Sequence, residues 1–216
     1  PAELEEIFHD IYNAGYTGTL IVQDFIPGDD ATMYVLNSYS DVNGKVQAMC
    51  LGHCVLEDYT PAGIGNYNAI IQEGIQDVYD KYQAFLEAIG FVGFSNFDIK
   101  YDERDGRYKV FEINIRQGRS SFFTTVSGCN LVEYLVRDRI QNKHTSQVHY
   151  HNNPALWLHV PTRLVLEYAP ERTLPQIRRL MNEHKCDCTL RQNALSPHYD
   201  QSLLPPAVAA LQRLVQ

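Results

Sequence analysis

Residues 94–116 read Phe-Ser-Asn-Phe-Asp-Ile-Lys-Tyr-Asp, then Glu-Arg-Asp-Gly-Arg, then Tyr-Lys-Val-Phe-Glu-Ile-Asn-Ile-Arg. The outer segments are rich in β-branched and aromatic residues, which is typical of strands. Between them Asp105-Gly106 is a strong signal for a hairpin turn. The stretch therefore predicts a β-hairpin that closes at Gly106.

One face of this hairpin is polar. Alternate side chains of a strand lie on the same face, so Asp98 shares a face with Lys100. On the second strand Glu112, Asn114 and Arg116 share a face in the same way. Closing the turn brings Asp98 to the level of Glu112 and Asn114. The hairpin is therefore expected to place two carboxylates and a carboxamide on one surface.

Two carboxylates in one place repel each other unless a proton or a cation lies between them. Magnesium is usually held by one or two carboxylates together with substrate phosphates. Arg116 and Arg119, next along the chain, suit bidentate capture of phosphate or carboxylate. The residues thus predict either a magnesium site or, as the alternative, an amphipathic hairpin whose polar face is simply solvated.

The motif also carries a family resemblance. Asp98, followed by Phe-Glu-Ile-Asn-Ile-Arg in residues 111–116, resembles the metal-binding signature of the ATP-grasp superfamily. In that family an acidic residue and a Glu-x-Asn on neighbouring strands hold two magnesium ions against ATP. The resemblance implies ATP and Mg2+ as cofactors and Asp98, Glu112 and Asn114 as metal ligands. The continuation Arg-Gln-Gly-Arg-Ser-Ser in residues 116–121 is similar to carboxylate–amine ligases related to D-aspartate ligase.

An upstream segment adds to the resemblance. Val-Gln-Asp-Phe-Ile-Pro-Gly-Asp-Asp in residues 22–30 resembles the ATP-grasp hinge, which usually begins with glutamate and carries an acidic residue seven positions on. Gln23, Asp24, Phe25 and Ile26 are then implied to bind adenine, and Asp30 to accept hydrogen bonds from ribose. Gln23 departs from the usual glutamate because it keeps an acceptor oxygen without the charge. From the residues alone, the pair of aspartates is an ordinary turn.

The activity implied by the resemblance is ATP-dependent ligation of a small-molecule carboxylate to an amine through an acyl phosphate. Arg116 is implied to stabilise the transferring phosphoryl group or the oxyanion, and Arg119 to clamp the substrate carboxylate. A fragment of a biotin-dependent carboxylase or a carbamoyl phosphate synthase, which share Glu-x-Asn-x-Arg, is the alternative enzyme. A non-catalytic interaction module that keeps the nucleotide fold is the other alternative.

The expected architecture is α+β: a C-terminal ATP-grasp subdomain with a mixed or antiparallel sheet and flanking helices, plus a small α/β C-terminal appendage. Residues 1–145 are expected to form the distal ATP-grasp domain, and residues 154–216 the appendage. Between Pro1 and Thr19 there is no lysine and no glycine-rich loop, both of which the family carries upstream of this point. We therefore expect the remaining half in a longer chain or a partner subunit, and the 216-residue chain alone to be inactive.

Composition limits the function classes. The chain has 216 residues, of which 44% are hydrophobic, enough for a sizeable core. A net charge of −8 argues against a nucleic-acid partner. No apolar run approaches the ~20 residues of a membrane span, and five cysteines in a chain of this length do not indicate a disulfide framework. A cytoplasmic protein with no membrane partner is expected.

Periodicity predicts the remaining elements. Helices are predicted over residues 2–13, 70–89, 129–141, 174–184 and 205–215. Strands are predicted over residues 20–25, 31–36, 46–56, 155–160, 162–168 and 185–190, with polar loops over 58–68 and 117–128. Cys186 and Cys188 lie in the last strand and are expected to be buried thiols, because two cysteines cannot complete a tetrahedral zinc site.

Overall fold

A computed structural model describes residues 2–61, 63 and 65–189 of the chain. Its strands are β1 (Met33–Ser40), β2 (Val46–Glu57), β3 (Tyr67–Gln72), β4 (Gly93–Asp102), β5 (Arg107–Asn114), β6 (His149–His151), β7 (Leu156–Leu158) and β8 (Cys186–Cys188). Its helices are α1 (Ala2–Asn13), α2 (Gln76–Ala88), α3 (Phe122–Val126), α4 (Leu131–Arg139), α5 (Thr162–Tyr168) and α6 (Leu174–Asn182), with 3-10 turns at Asp30–Thr32 and Glu171–Thr173.

The strands form one mixed sheet in the order β5-β4-β1-β2-β3-β7-β8, with β6 paired to β2 beside this path. The pairs β2–β6 and β7–β8 are parallel, and the other pairs are antiparallel. The expected α+β class with a mixed sheet and flanking helices is confirmed.

The hairpin of β4 and β5 has the predicted register. Asp98 lies opposite Glu112, and Asn96 lies opposite Asn114. At the turn Gly106 has φ of 69°, a left-handed conformation that glycine adopts without the steric cost a side chain brings. The ladder shifts by one residue beyond Asp98, so Phe111 is the extra residue of a bulge next to the carboxylates.

The two faces of the sheet are covered by different helices. Helix α2 packs on one face through Val78, Tyr79, Tyr82 and Leu86. On the other face, α3 and α4 pack against alternate residues of β1 and β2 in a second cluster. Among the described residues, no helix covers this second face where β1, β4 and β5 meet residues 23–26, and the candidate site lies there.

A third hydrophobic cluster lies at the β7 side of the sheet. It joins β3 and β7 to α5 and α6, with Val165, Ile177 and Leu180 at its centre. Because β7 hydrogen bonds to β3 and β8 to β7, the sheet continues into residues 154–189. The division into residues 1–145 and 154–216 stays a prediction.

Two predicted strands are wrong. Residues 20–25 have no regular structure, and Ile21 and Phe25 are 87% and 79% exposed, since no strand of the described residues pairs with this apolar run. Residues 162–168 form helix α5 instead. Its buried Val165 lies four positions before the buried Ala169, a helical spacing that the density of apolar residues concealed.

The boundaries of the other predicted elements lie closer to the observed ones. The helix predicted from residue 70 begins at Gln76, because residues 67–72 are strand β3. The predicted loop over residues 117–128 contains α3. The helices predicted over 2–13, 129–141 and 174–184 are confirmed as α1, α4 and α6, whereas the one predicted over 205–215 lies outside the described residues. Within those ranges, no helix has the length and apolar character needed to cross a membrane.

Candidate functional site

Two adjoining cavities open on the same face of the sheet. The larger has a volume of about 390 Å3 and is lined by the predicted adenine segment Gln23, Asp24, Phe25 and Ile26, together with Met33, Glu57, Gly65, Tyr67, Asp98, Lys100, Phe111 and Glu112. The smaller, of about 130 Å3, is lined by Asn114, Arg116 and Arg119 among others. Asp98 and Glu112 line both cavities, so the carboxylate pair lies where the two meet.

The Asp98 carboxylate is held by neutral donors. Its Oδ1 accepts a hydrogen bond from the Tyr67 hydroxyl at 3.2 Å, and its Oδ2 accepts one from Asn114 Nδ2 at 3.3 Å. Burial, and then the nearby charge of Glu112, raise the pKa of Asp98 to about 6. Across the described ranges neither Asp98 nor Glu112 forms an ion pair.

The donor set fits magnesium. Among the described residues no cluster of three or more His, Cys, Asp or Glu side chains is placed to hold a metal. A cation here would have the two carboxylates and the Asn114 amide, and would take further oxygens from a phosphate, as magnesium sites commonly do. Asn114 now turns its nitrogen towards Asp98. A half-turn of the amide would place its oxygen there instead.

Lys100 holds the predicted adenine segment against the sheet. Its ammonium donates to the Gly28 carbonyl at 3.0 Å and lies 5.3 Å from the centre of the Phe25 ring. Residues 23–28 are thus attached to β4 by a charged side chain and not by a strand ladder. The sequence predicted that Lys100 lies on the same face as Asp98, and this is confirmed because both residues line the larger cavity. The sequence indicated no role for Lys100.

Asp30 lies apart from the other predicted nucleotide residues. It is buried, and its Oδ2 accepts hydrogen bonds from the Glu57 backbone N–H at 2.9 Å and from the Tyr59 hydroxyl at 2.7 Å. It is not among the residues that line the larger cavity. The structure therefore brings Gln23, Asp24, Phe25 and Ile26 to the cavity but not Asp30, whose ribose contact stays a prediction.

Glu57 is an acid at the cavity that the sequence reasoning missed. It ends strand β2 and lines the larger cavity. Within the described residues its carboxylate has no hydrogen bond or ion pair. Burial, and then the charge of Asp30, raise the pKa of Glu57, although Lys100 opposes the shift. Its position at the end of a long buried strand, directly before a glycine-containing loop, is the signal that could have found it.

Two arginines line the smaller cavity. Arg119 pairs with Asp58 at 3.5 Å, which attaches it to the loop that follows β2. Arg116 donates to the carbonyl of its neighbour Gln117 at 3.2 Å and is exposed. Guanidinium groups at a cavity that also contains Asp98 and Glu112 can hold an anionic ligand against the carboxylate pair.

Comparison with known proteins shows which proteins this chain is similar to. No protein-family model matches the sequence. The chain is 52% identical over 173 residues to a protein named D-aspartate ligase from Enterococcus faecium (strain Aus0004), a match that covers 78% of the chain. Most of this chain is therefore similar to part of a D-aspartate ligase. The predicted resemblance to D-aspartate ligase is confirmed. The chain spans 41% of the length of that D-aspartate ligase.

The solved structures that are similar to this chain are more distant. The biotin carboxylase domain of a Hydrogenobacter thermophilus 2-oxoglutarate carboxylase, in complex with MgADP and bicarbonate, is 14% identical with a TM-score of 0.42 over 54% of this chain and 26% of that one. An L-amino acid ligase from Bacillus licheniformis is 16% identical with a TM-score of 0.36, over 50% and 29%. An N5-carboxyaminoimidazole synthase from Aspergillus clavatus, in complex with ADP, is 14% identical with a TM-score of 0.44, over 60% and 35%.

Proposed function

We propose that this chain is the distal part of an ATP-dependent ligase that joins a carboxylate to an amine, with D-aspartate as one substrate. The observation that carries the proposal is the place of Asp98 and Glu112. They lie between a cavity lined by the adenine-type segment and a cavity lined by two arginines, in a chain that is similar to part of a D-aspartate ligase. A nucleotide in the first cavity and a carboxylate in the second would meet at this pair.

The larger cavity suits a nucleoside. Phe25, Met33 and Phe111 supply apolar walls for a flat base. Residues 23–26 bring backbone groups to the same cavity, and backbone N–H and C=O groups are the usual means of fixing a base edge. Glu57 offers an acceptor without a partner of its own. We assign it to a hydroxyl or amino group of the nucleotide.

Asp98, Glu112 and Asn114 would hold the metal. When bound there, Mg2+ neutralises charge on the phosphate oxygens during phosphoryl transfer. The residues themselves contribute position: Tyr67 holds one oxygen of Asp98, and the strand register fixes Glu112 opposite it. Magnesium and ATP are proposed together. The two carboxylates and the ATP phosphates are all negatively charged, so they can meet only with a cation between them.

The arginines are assigned to the acid substrate. D-aspartate has two carboxylates, so one can react while the other is held. We assign to Arg119 the binding of the carboxylate that is held. We assign to Arg116 the stabilisation of the negative charge that develops on the transferring phosphoryl group. A carboxylate oxygen would attack the γ-phosphorus as its bond to ADP breaks. The amine would then attack the acyl carbon, phosphate would leave, and the amine would lose a proton.

A chimaera tests this proposal. The segment of the Enterococcus faecium D-aspartate ligase that matches this chain is replaced by this chain, and release of ADP is measured with and without D-aspartate and with and without an amine acceptor. We expect ADP release that depends on both D-aspartate and an amine acceptor. Circular dichroism provides the folding control. A folded chimaera that binds ATP but does not respond to D-aspartate would contradict the substrate, and one that binds no ATP would contradict the site.

A further inference from the structure

A row of three asparagines leads from the carboxylate pair into the sheet. Asn37, Asn96 and Asn114 lie at one level on β1, β4 and β5, because Asn37 is the register partner of Asn96 and Asn96 that of Asn114. Asn114 Nδ2 donates to Asn96 Oδ1 at 3.4 Å, and Asn96 Nδ2 donates to Asn37 Oδ1 at 3.3 Å. This asparagine row runs from the edge of the cavity to the fully buried Asn37.

The buried end of the row has an unpaired donor. Asn37 Oδ1 accepts hydrogen bonds from Asn96 and from the Ser121 hydroxyl, the latter at 3.1 Å. Asn37 Nδ2 is buried without an acceptor among the described residues, and it carries two N–H groups. Buried donors without a partner are rare and costly in proteins, so this one calls for a physical account.

A reversed row pairs this donor. The oxygen and nitrogen of an amide are nearly equal in size, so a half-turn exchanges them without moving other atoms. Turned in this way, Asn37 would donate to Asn96 Oδ1 and to the Ser121 oxygen. Asn96 must turn as well, because two amide nitrogens would otherwise face each other, and Asn114 must follow for the same reason. One carbonyl oxygen is then left unpaired in place of two N–H groups.

The reversal changes the binding site. Turned, Asn114 would present its oxygen to Asp98, with Asn96 donating to that oxygen from behind. Three oxygen ligands without a cation repel one another, whereas a cation between them can be held by all three. We propose that Asn37 and Asn96 are positioning residues for Asn114, and that a cation bound at Asp98 and Glu112 reverses the asparagine row as a unit. The inference rests on the metal role proposed above for Asp98 and Glu112.

The test follows the side-chain amide signals of the 15N-labelled chain by NMR while Mg2+ is added in the presence of saturating ADP. We expect the signals of Asn37, Asn96 and Asn114 to move together with one apparent dissociation constant, although Asn37 itself does not line either cavity. Asn130, whose side chain caps α4, serves as the internal control and should not move.

Asn96→Ala cuts the row in its middle. In this variant the Asn37 signal should no longer respond to Mg2+, and the dissociation constant of Mg2+ should rise by about 10-fold or more, as is typical when a residue that orients a metal ligand is lost. Ser95→Ala is the matched control. Ser95 is also buried on β4, but its hydroxyl pairs with Ser38 at 2.6 Å, so the coupled response should remain.

The outcomes separate the two claims. If Mg2+ moves the Asn114 signal of the wild-type chain while Asn37 and Asn96 stay fixed, the positioning role is wrong and the metal site stands. The same holds if Asn96→Ala binds Mg2+ as the wild type does. If Mg2+ moves none of the three signals in the wild-type chain, the metal role and the inference fail together. The wild-type titration decides the matter even if Asn96→Ala does not fold.

Discussion

The two ends of the β4–β5 hairpin carry the same kind of side chain in opposite circumstances. Near the turn, Asp102 is fully buried beneath Arg104 and Lys109, whose nitrogens lie 2.7 and 2.6 Å from its Oδ2. Hydrogen bonds from Arg104 and then Lys109 lower the pKa of Asp102. At the open end, Asp98 faces Glu112 instead of a cation, and its pKa is raised to about 6.

The difference separates a structural carboxylate from one that is available to a ligand. Asp102 has its charge balanced by residues of its own hairpin, so it needs nothing from outside. Asp98 and Glu112 lie together at the junction of two cavities, with a repulsion that the Tyr67 hydrogen bond and the charge of Arg116 offset only in part. Acids with a raised pKa in a cavity are typical of functional sites. Each prediction below alters one end and leaves the other intact.

The largest effect is expected for Glu112→Gln at the open end. In the chimaera with the Enterococcus faecium ligase, turnover dependent on Mg2+ should fall by orders of magnitude, because charge neutralisation by a metal contributes several kcal/mol. The measurement is ADP release at saturating ATP. Asp105→Asn, a loss of the same charge at the turn end, should leave turnover near that of the unmutated chimaera. Equal turnover in both variants would remove the distinction between the two ends.

A second effect concerns stability. An acid whose pKa is higher in the native state than in the unfolded chain costs stability once the pH exceeds its ordinary value. For Asp98 that cost is absent below about pH 4 and complete above about pH 6. Asp98→Asn without metal should therefore be more stable than the wild type at pH 8, by up to about 3 kcal/mol, and equally stable at pH 3.5. Urea denaturation at pH 8 and at pH 3.5 measures the free energy of unfolding of both chains. If the variant is less stable than the wild type at pH 8, Asp98 has a structural role instead.

The smallest effect is expected at the turn end. Asp102→Asn should lower the melting temperature slightly, since Arg104 is exposed and Lys109 only half-buried, so solvent screens both charges and the pairs contribute little. Because the pKa of Asp102 is lowered by folding, its contribution is present at neutral pH and lost as the pH falls below the ordinary range for aspartate. Thermal melting at pH 7 and pH 3 checks this. A change in Mg2+ binding by this variant would mean that the two ends are not independent.

Much of the hairpin could be predicted because its information is local. Asp105-Gly106 sets the turn, and alternation then sets Asp98 opposite Glu112. Residues 20–25 could not be placed in the same way, because an apolar run does not reveal whether another strand will pair with it. The hydrogen bond from Lys100 to Gly28 joins residues that are 72 positions apart, and a pattern within one strand cannot show such a contact.

The asparagine row shows the same limit. Asn37 and Asn96 are ordinary strand residues until β1 and β4 pair across a separation of 59 residues. Glu57 likewise becomes a cavity residue only when the end of β2 meets β4 and residues 23–26. In contrast, the metal-ligand candidates were visible, since all three lie within one hairpin.

The central claim is that Asp98 and Glu112 form a cation site, and thermal stabilisation by Mg2+ with ADP tests it most directly. Melting temperatures are measured for the wild-type chain, Glu112→Gln and Asp105→Asn, with ADP alone and with ADP plus Mg2+. We predict that Mg2+ raises the melting temperature of the wild type and of Asp105→Asn, because a ligand that binds only the native state stabilises it, and that Glu112→Gln does not respond. An equal response in all three chains, or none in the wild type, would contradict the account.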